Sequence, residues 1–157
     1  MSKKPVRKKR AKKTTPQINE AFVILGKPIS QKNMKRVGIR QGKGFLWTPK
    51  DIKDWKASAV RQLAEQWGGK EPIPSGVDME AECISYLAKG QSIDSDNLAA
   101  APLDAMEEAG IFQNDYWVRR TISDRMKDPD NPRVIIYLKN YEERAQDNQG
   151  EEADKGC

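Results

Sequence analysis

The sequence predicts an α+β domain in which a mixed β-sheet packs on two main helices as a two-layer sandwich. Its 157 residues suit one domain of ordinary size. The local patterns run strand, basic loop, helix, strand, helix, strand, strand, without the regular alternation of a parallel α/β fold. We expect the folded body over 20–140, between a disordered basic arm at 1–19 and a disordered acidic tail at 141–157.

The charge is distributed unevenly along the chain. The net charge is +5, but residues 1–13 contain eight basic side chains and no acid, and residues 141–157 contain six acids and two basic groups. The stretch between them is nearly neutral. A cationic arm on a neutral body indicates nucleic acid as the binding partner. The alternative roles of the arm are to improve solubility or to act as a nuclear-localisation signal.

Composition excludes several classes of protein. No apolar run approaches the roughly 18 residues of a membrane span, and no signal-peptide core is present, so we expect a cytoplasmic protein. The chain has no histidine, and its two cysteines, Cys83 and Cys157, form neither a disulfide framework nor a metal knuckle. Chemistry in this chain would therefore depend on carboxylates and lysines, with a hard cation such as Mg²⁺.

The first elements are a strand and a basic excursion. Residues 21–25 (AFVIL) form an apolar run that Gly26 and Pro28 end, which predicts a buried strand. The following stretch, 27–43, is predicted to be a hairpin-like excursion that faces phosphate, although a solvated loop is the alternative. Besides Lys27 at its start, the stretch contains the cations Lys32, Lys35, Arg36, Arg40 and Lys43.

A helix follows, with clear signals at both ends. Thr48 is the expected N-cap, with Pro49 in the first helical position and Asp51 completing a capping box, and Gly68 ends the helix. One face carries Ile52, Trp55, Ala59, Leu63 and Trp67. At this spacing we expect the tryptophans to pack in the core rather than to stack on bases.

Three further strands are predicted. Residues 77–83 alternate apolar and acidic side chains and continue towards residue 87, so the acids Asp78, Glu80 and Glu82 are expected on a solvated face rather than in a metal site. Two more extended runs, 118–126 and 134–138, flank a turn rich in Asp, Asn and Pro. This pattern predicts a β-hairpin.

The stretch 93–118 carries the residues most suited to chemistry. One residue separates Asp94 from Asp96, so in an extended segment both carboxylates would lie on one side, about 6.6 Å apart at Cα, and could share a divalent cation. An apolar stripe then predicts a helix closed by Gly110, and Asp115 can join the pair only if the chain runs back beside that helix. The alternative is that the aspartates, or Asn97, only cap the helix or form turns.

The same stretch resembles the RusA family of Holliday-junction resolvases. The matching residues are Asp94-x-Asp96-Asn97-Leu98, Leu103-Asp104-Ala105, Ala109-Gly110-Ile111 and Asp115, and the strand, Pro-Ile-Ser turn and basic excursion upstream also fit. The resemblance implies a homodimeric, Mg²⁺-dependent endonuclease, with Mn²⁺ able to substitute. Such enzymes, typical of phages and prophages, resolve four-way DNA junctions by paired symmetric nicks.

The resemblance also assigns roles to residues. Asp94, Asp96 and Asp115 become the catalytic carboxylates and the metal ligands. The DNA-binding set that we predict from the resemblance and the basic excursion is Lys32, Lys35, Arg36, Arg40, Lys43, Lys89, Arg119 and Arg120.

Four departures from the family pattern leave alternatives open. Gln91-Ser92-Ile93 precede Asp94 where the family often has basic residues. Ala100 stands where the family usually has a lysine, and Lys32 or Lys89 is the candidate substitute for that cation. Asn114 stands where the family often has an acidic residue. Pro102 lies inside the expected helix, which would then bend or begin later. The runner-up function is therefore a branched-DNA-binding protein with weakened or lost catalysis. A weaker alternative is an adaptor that recruits partners through its charged tails.

Overall fold

The computed structural model describes residues 14–30 and 36–144. Six strands and two helices follow in chain order: β1 Asn19–Leu25, β2 Arg36–Arg40, β3 Lys43–Trp47, α1 Lys50–Trp67, β4 Met79–Leu87, α2 Ala100–Glu108, β5 Val118–Lys127 and β6 Arg133–Asn140. Short 3₁₀ turns at Ser95–Asn97 and Asp115–Trp117 flank α2. The predicted order of elements is confirmed.

Four strands form a mixed sheet in the order β1-β6-β4-β5, and β2 and β3 form a separate two-stranded ribbon. Strand β4 pairs antiparallel with β6 and parallel with β5. The predicted hairpin of the last two strands is therefore wrong, because β4 lies between them. The apolar run of β6 places it inside the sheet, whereas the polar β5 forms an edge.

The turn 128–132, which was predicted to be a hairpin loop, crosses the end of β4 instead. The backbone N–H of Asp128 donates to the carbonyl of Leu87 at 3.0 Å, and the Asp128 carboxylate accepts from Arg133 at 2.8 Å. Beyond the crossing, Gly26 donates its N–H to the carbonyl of Pro132 at 3.1 Å. The same turn residues thus connect the edge strand β5 to β6, which lies between β4 and β1.

Helix α1 begins one residue later than expected. Its N-cap is Pro49, and no side chain caps the end, so the predicted Thr48 capping box is not formed. At the other end Gly68 takes the left-handed conformation (φ 71°) and donates its N–H to the carbonyl of Ala64 at 3.1 Å, as predicted. Trp67 is buried, which confirms core packing, and its indole N–H donates to the carbonyl of Lys70 at 2.9 Å.

The core lies between the two helices and one face of the sheet, which confirms the two-layer α+β class. Alternate residues of β1, β4 and β6 fill it: Phe22, Ile24, Ala81, Cys83, Val134, Ile136 and Leu138. Helix α2 begins at Ala100, so Pro102 falls in the first turn, where a missing N–H is tolerated. The later start that Pro102 suggested is confirmed.

The acidic face of β4 is less solvated than the alternation predicted. The Glu80 side chain is 9% exposed and forms ion pairs with Arg120 at 3.0 Å and Lys139 at 3.7 Å, while Asp78 pairs with Arg119 at 3.3 Å. The prediction that this strand face is exposed to solvent is therefore wrong at Glu80. Neighbouring strands supply cations that stabilise the acids, so repulsion between the carboxylates does not force them into water.

The folded body extends slightly beyond the expected limits of 20 and 140. Ile18 is buried, and its N–H donates to the side chain of Asn140 at 2.7 Å. The N–H of Tyr141 donates to the carbonyl of Asp78 at 3.0 Å. The basic arm at 1–13 and the acidic residues from 145 onward lie outside the described residues, as do Lys32 and Lys35. Among the helices described, none is long and apolar enough to cross a membrane.

Candidate active site and nucleic-acid interface

The Asp94–Asp96 pair lies on the loop between β4 and α2, and its local geometry differs from the prediction. Asp94 is extended (φ −66°, ψ 140°), but Asp96 lies in the 3₁₀ turn Ser95–Asn97. The expectation of a continuous extended segment is therefore wrong. Both carboxylates are exposed, Asp94 with 75% of its side chain accessible.

The capping alternative does not account for these two carboxylates. Helix α2 has Ala99 at its N-cap, with no hydrogen bond from a capping side chain, and Asp94 caps the 3₁₀ turn without one either. Asp96 accepts one hydrogen bond, from the Asn97 amide at 3.0 Å. The pair thus makes little contribution to local structure and is available to a ligand.

Asp115 opens the second 3₁₀ turn, immediately before β5. The capping role there belongs to Asn114, whose side-chain oxygen accepts from the N–H of Tyr116 at 2.8 Å. Asp115 itself is exposed, and it lies near enough to Glu107 of α2 for the two carboxylates to interact. Burial, with the nearby Asp115 and Asp104 carboxylates, raises the pKa of Glu107.

The structure does not gather a three-ligand metal site. Across 14–30 and 36–144, no three Asp, Glu or Cys side chains lie close enough together to hold a metal ion. Burial, and secondarily Glu82, raises the pKa of the Cys83 thiol to about 12, so that group is a poor ligand. The exposed Asp94 and Asp96 oxygens do fit Mg²⁺, which typically uses one or two carboxylates together with water and substrate phosphate.

Strand β5 fixes the position of the loop 88–99 that carries Asp94 and Asp96, called the acidic loop below, a role that the sequence did not predict. The Ser123 hydroxyl donates to the carbonyl of Ser95. Arg125 donates to the carbonyl of Ile93 at 2.9 Å, and its guanidinium lies 3.8 Å from the Asp94 carboxylate. The polar alternation of β5 was visible in the sequence, but its proximity to the loop was not.

The β2–β3 ribbon has two chemically different faces. In the antiparallel register Arg36 pairs with Trp47, Gly38 with Phe45 and Arg40 with Lys43. Because side chains alternate along a strand, these cations and aromatic rings share one face. The opposite face carries Val37, Ile39 and Leu46, between 66% and 81% exposed. The predicted hairpin is confirmed, and Phe45 and Trp47, at 44% and 42% exposure, add rings that could stack on bases.

Gly38 makes room for one of these rings. A Cβ added there would lie 2.6 Å from Cζ of Phe45, whereas one added at Gly44 would meet nothing within 4 Å. We expect Gly38→Ala to displace the ring and weaken junction binding about threefold, with Gly44→Ala unchanged. Fluorescence anisotropy with a labelled junction measures both; equal affinities for the two variants would show that the ring position is unimportant.

The remaining predicted DNA-binding residues differ in availability. Arg119 and Arg120 form the ion pairs with Asp78 and Glu80 and also stack over the Tyr141 ring, 4.4 Å and 4.7 Å from its centroid. Lys89 is exposed on the turn that leads towards Asp94. The ribbon cations Arg36, Arg40 and Lys43 are likewise exposed.

Two comparisons with known proteins show what the chain is similar to. The family model described as Endodeoxyribonuclease RusA matches residues 26–139, a range that includes the ribbon, the acidic loop and Asp115. The chain is also 26% identical over 104 residues to a crossover junction endodeoxyribonuclease RusA of Aquifex aeolicus (strain VF5). That alignment covers 66% of this chain and 80% of the relative.

Proposed function

The chain belongs to the RusA family of crossover junction endodeoxyribonucleases, and from this premise we propose that it resolves four-way DNA junctions by paired, symmetric, Mg²⁺-dependent nicks. The observation that carries the proposal is the acidic loop. Asp94 and Asp96 are exposed, Asp94 makes no capping hydrogen bond with its side chain, and both lie within the range that matches the family.

In this proposal Asp94 and Asp96 bind the metal, and the two ribbon strands bind the DNA backbone. Asp115, which the described structure does not gather with them into a three-ligand site, stays a predicted catalytic carboxylate. Bound Mg²⁺ would supply polarisation of the scissile phosphate and activation of a water molecule. The chain's own contribution is to hold the carboxylates beside the bound strand. Since Mg²⁺ accepts one or two carboxylates plus phosphate oxygens, DNA itself would complete the ligand set.

We propose that the basic and aromatic face of the ribbon contacts the junction. Arg36, Arg40 and Lys43 would neutralise phosphates, and Phe45 and Trp47 would stack on bases that the branch point exposes. An exposed aromatic ring needs no sequence-specific partner, because every base offers a π-face. This combination suits recognition of branched structure rather than of sequence.

A homodimer would supply the two nicks. The sheet face opposite the helices leaves Val23, Leu25, Met126 and Tyr137 between 36% and 57% exposed. A second copy is the occupant that suits this face, because a twofold-symmetric substrate calls for two identical sites.

We expect a solution mass of twice the 17.8 kDa of one chain. Val23→Lys should reduce the mass to that of a monomer, because a charge would be buried in the interface, while Val37→Lys on the ribbon should not. Light scattering after gel filtration measures the mass. A monomeric wild-type protein at micromolar concentration would contradict this arrangement.

The activity is tested by incubating the protein with a labelled four-way junction and a matched linear duplex, each with and without Mg²⁺. We expect symmetric nicks only in the junction and only with the metal. Cleavage of both substrates at equal rates would contradict structure selectivity.

The second candidate, a junction-binding protein with weakened catalysis, is favoured by Ala100. This residue begins α2, directly after the acidic loop, and offers no cation. Under this alternative, the protein binds junctions but does not cleave them in Mg²⁺ or Mn²⁺, and Ala100→Lys introduces nicking. A wild-type protein that nicks rapidly would exclude the alternative.

A further inference from the structure

The edge strand β5 presents a row of polar side chains to the acidic loop. Ser123, Arg125 and Lys127 alternate along the strand, and they are registered with Cys83, Ser85 and Leu87 on the core-facing side of β4. The first two bond the loop at Ser95 and Ile93. Because β5 is the outermost strand, the row borders solvent at the point where Asp94 is exposed.

A polar cavity of about 300 Å³ lies along this row. It is lined by Leu87, Gln91, Ser92, Ile93, Arg125, Met126 and Lys127. Gln91 is fixed on both sides, since its side chain accepts from the N–H of Ala88 at 2.8 Å and donates to the carbonyl of Pro28 at 2.9 Å. The cavity therefore has a fixed wall and two cationic side chains, and none of its lining residues is acidic.

The Arg125 guanidinium is only partly occupied by these contacts. One terminal nitrogen donates to the Ile93 carbonyl, and the same nitrogen makes the loose 3.8 Å approach to Asp94. Among the described residues, no other hydrogen bond involves the guanidinium, and half of the side chain is exposed. A guanidinium has five N–H donors, so donors remain for a planar, two-point contact with a phosphate.

We propose that Arg125, assisted by Lys127, binds a DNA backbone phosphate next to the catalytic carboxylates, an inference that rests on the proposed function. Arg125 thereby provides, from the edge strand, a cation that Ala100 does not offer from the start of α2. The ligand is a phosphodiester, and the adjacent Asp94 would share the same strand through the metal.

A purely structural role for Arg125 must be separated from phosphate binding, because its bond to Ile93 also holds the loop. The two roles can be separated by comparing the loss of affinity when a single phosphate loses its negative charge, with and without the Arg125 side chain. If two groups contact each other, the effects of deleting each are not additive, whereas independent effects add.

The experiment scans a four-way junction in which each of the six phosphates nearest the branch point is replaced, one at a time, by a neutral methylphosphonate. Binding is measured by anisotropy in EDTA for the wild type, Arg125→Ala and Arg61→Ala. Arg61 is an exposed arginine of α1 outside the proposed site and serves as the matched loss of charge.

We expect one methylphosphonate position to weaken wild-type binding about tenfold and to have no effect on Arg125→Ala. The Arg61→Ala profile should match that of the wild type. If every methylphosphonate that weakens wild-type binding weakens the binding of Arg125→Ala equally, the inference is overturned. Arg125 would then only hold the acidic loop in place. Nicking of the unmodified junction by the wild type in Mg²⁺, measured in parallel, tests the proposed function separately from this contact.

Discussion

Asp94→Asn is expected to reduce single-turnover nicking of a four-way junction by at least about 10²-fold while leaving the fold and junction binding intact. The carboxylate is exposed and makes no capping hydrogen bond, so its replacement by an isosteric amide removes little stabilisation. A neutral amide is a weaker ligand for Mg²⁺ than a carboxylate, and the loss should therefore appear in the chemical step.

The matched control for this variant is Asp54→Asn. Asp54 is a surface carboxylate of α1 whose one ion pair within the described part of the chain is with Lys50, at 2.9 Å. It should retain wild-type nicking, because an exposed pair of this kind contributes little. Junction binding in EDTA should be the same for both variants. Nicking by Asp94→Asn at the wild-type rate would refute the assignment of the acidic loop as the catalytic site.

Replacing the ribbon cations is expected to give the second large effect. The double variant Arg36→Gln and Arg40→Gln should weaken junction binding by about 10- to 100-fold at moderate salt. Each phosphate contact that is lost should lower the slope of log K against log salt by about 0.9, so the slope should fall by nearly two. Because the ribbon is exposed and separate from the main sheet, the thermal stability of the domain should not change.

An equal loss of charge on α1 provides the comparison. The double variant Lys53→Gln and Arg61→Gln changes two exposed cations outside the ribbon and should leave the salt slope unaltered. Anisotropy titrations over a series of salt concentrations measure both variants. If the two double variants have identical slopes of log K against log salt, the ribbon cations make no phosphate contacts of their own and act only through the net charge of the protein.

Local sequence signals predicted most of the elements of this fold. The 3.6-residue spacing of apolar side chains located α1, Gly68 marked its end, and Pro102 indicated the late start of α2. These features depend on neighbours within one or two turns, so they can be read without knowledge of the rest of the chain. The motif around Asp94 likewise pointed to the family that the comparisons show.

Strand pairing was not predictable in the same way. The turn before β6 has the composition of a hairpin loop, yet it crosses β4, because the partners of β6 come from residues 19–25 and 79–86. Such pairings depend on which strand can bury both faces, a property of the assembled sheet. The apolar composition of β6 was the one available signal that it occupies an interior position.

By itself, the sequence determined the type of each element, the family and the candidate carboxylates, since these follow from local periodicity and a contiguous motif. Only the tertiary structure decided that Arg119 pairs with Asp78, just before β4, that Arg120 pairs with Glu80, and that Arg125 lies beside Asp94. The physical reason is that an ion pair or hydrogen bond acts over a few ångströms. Residues 31 positions apart in the chain reach that distance only after the sheet has set the register of its edge strand.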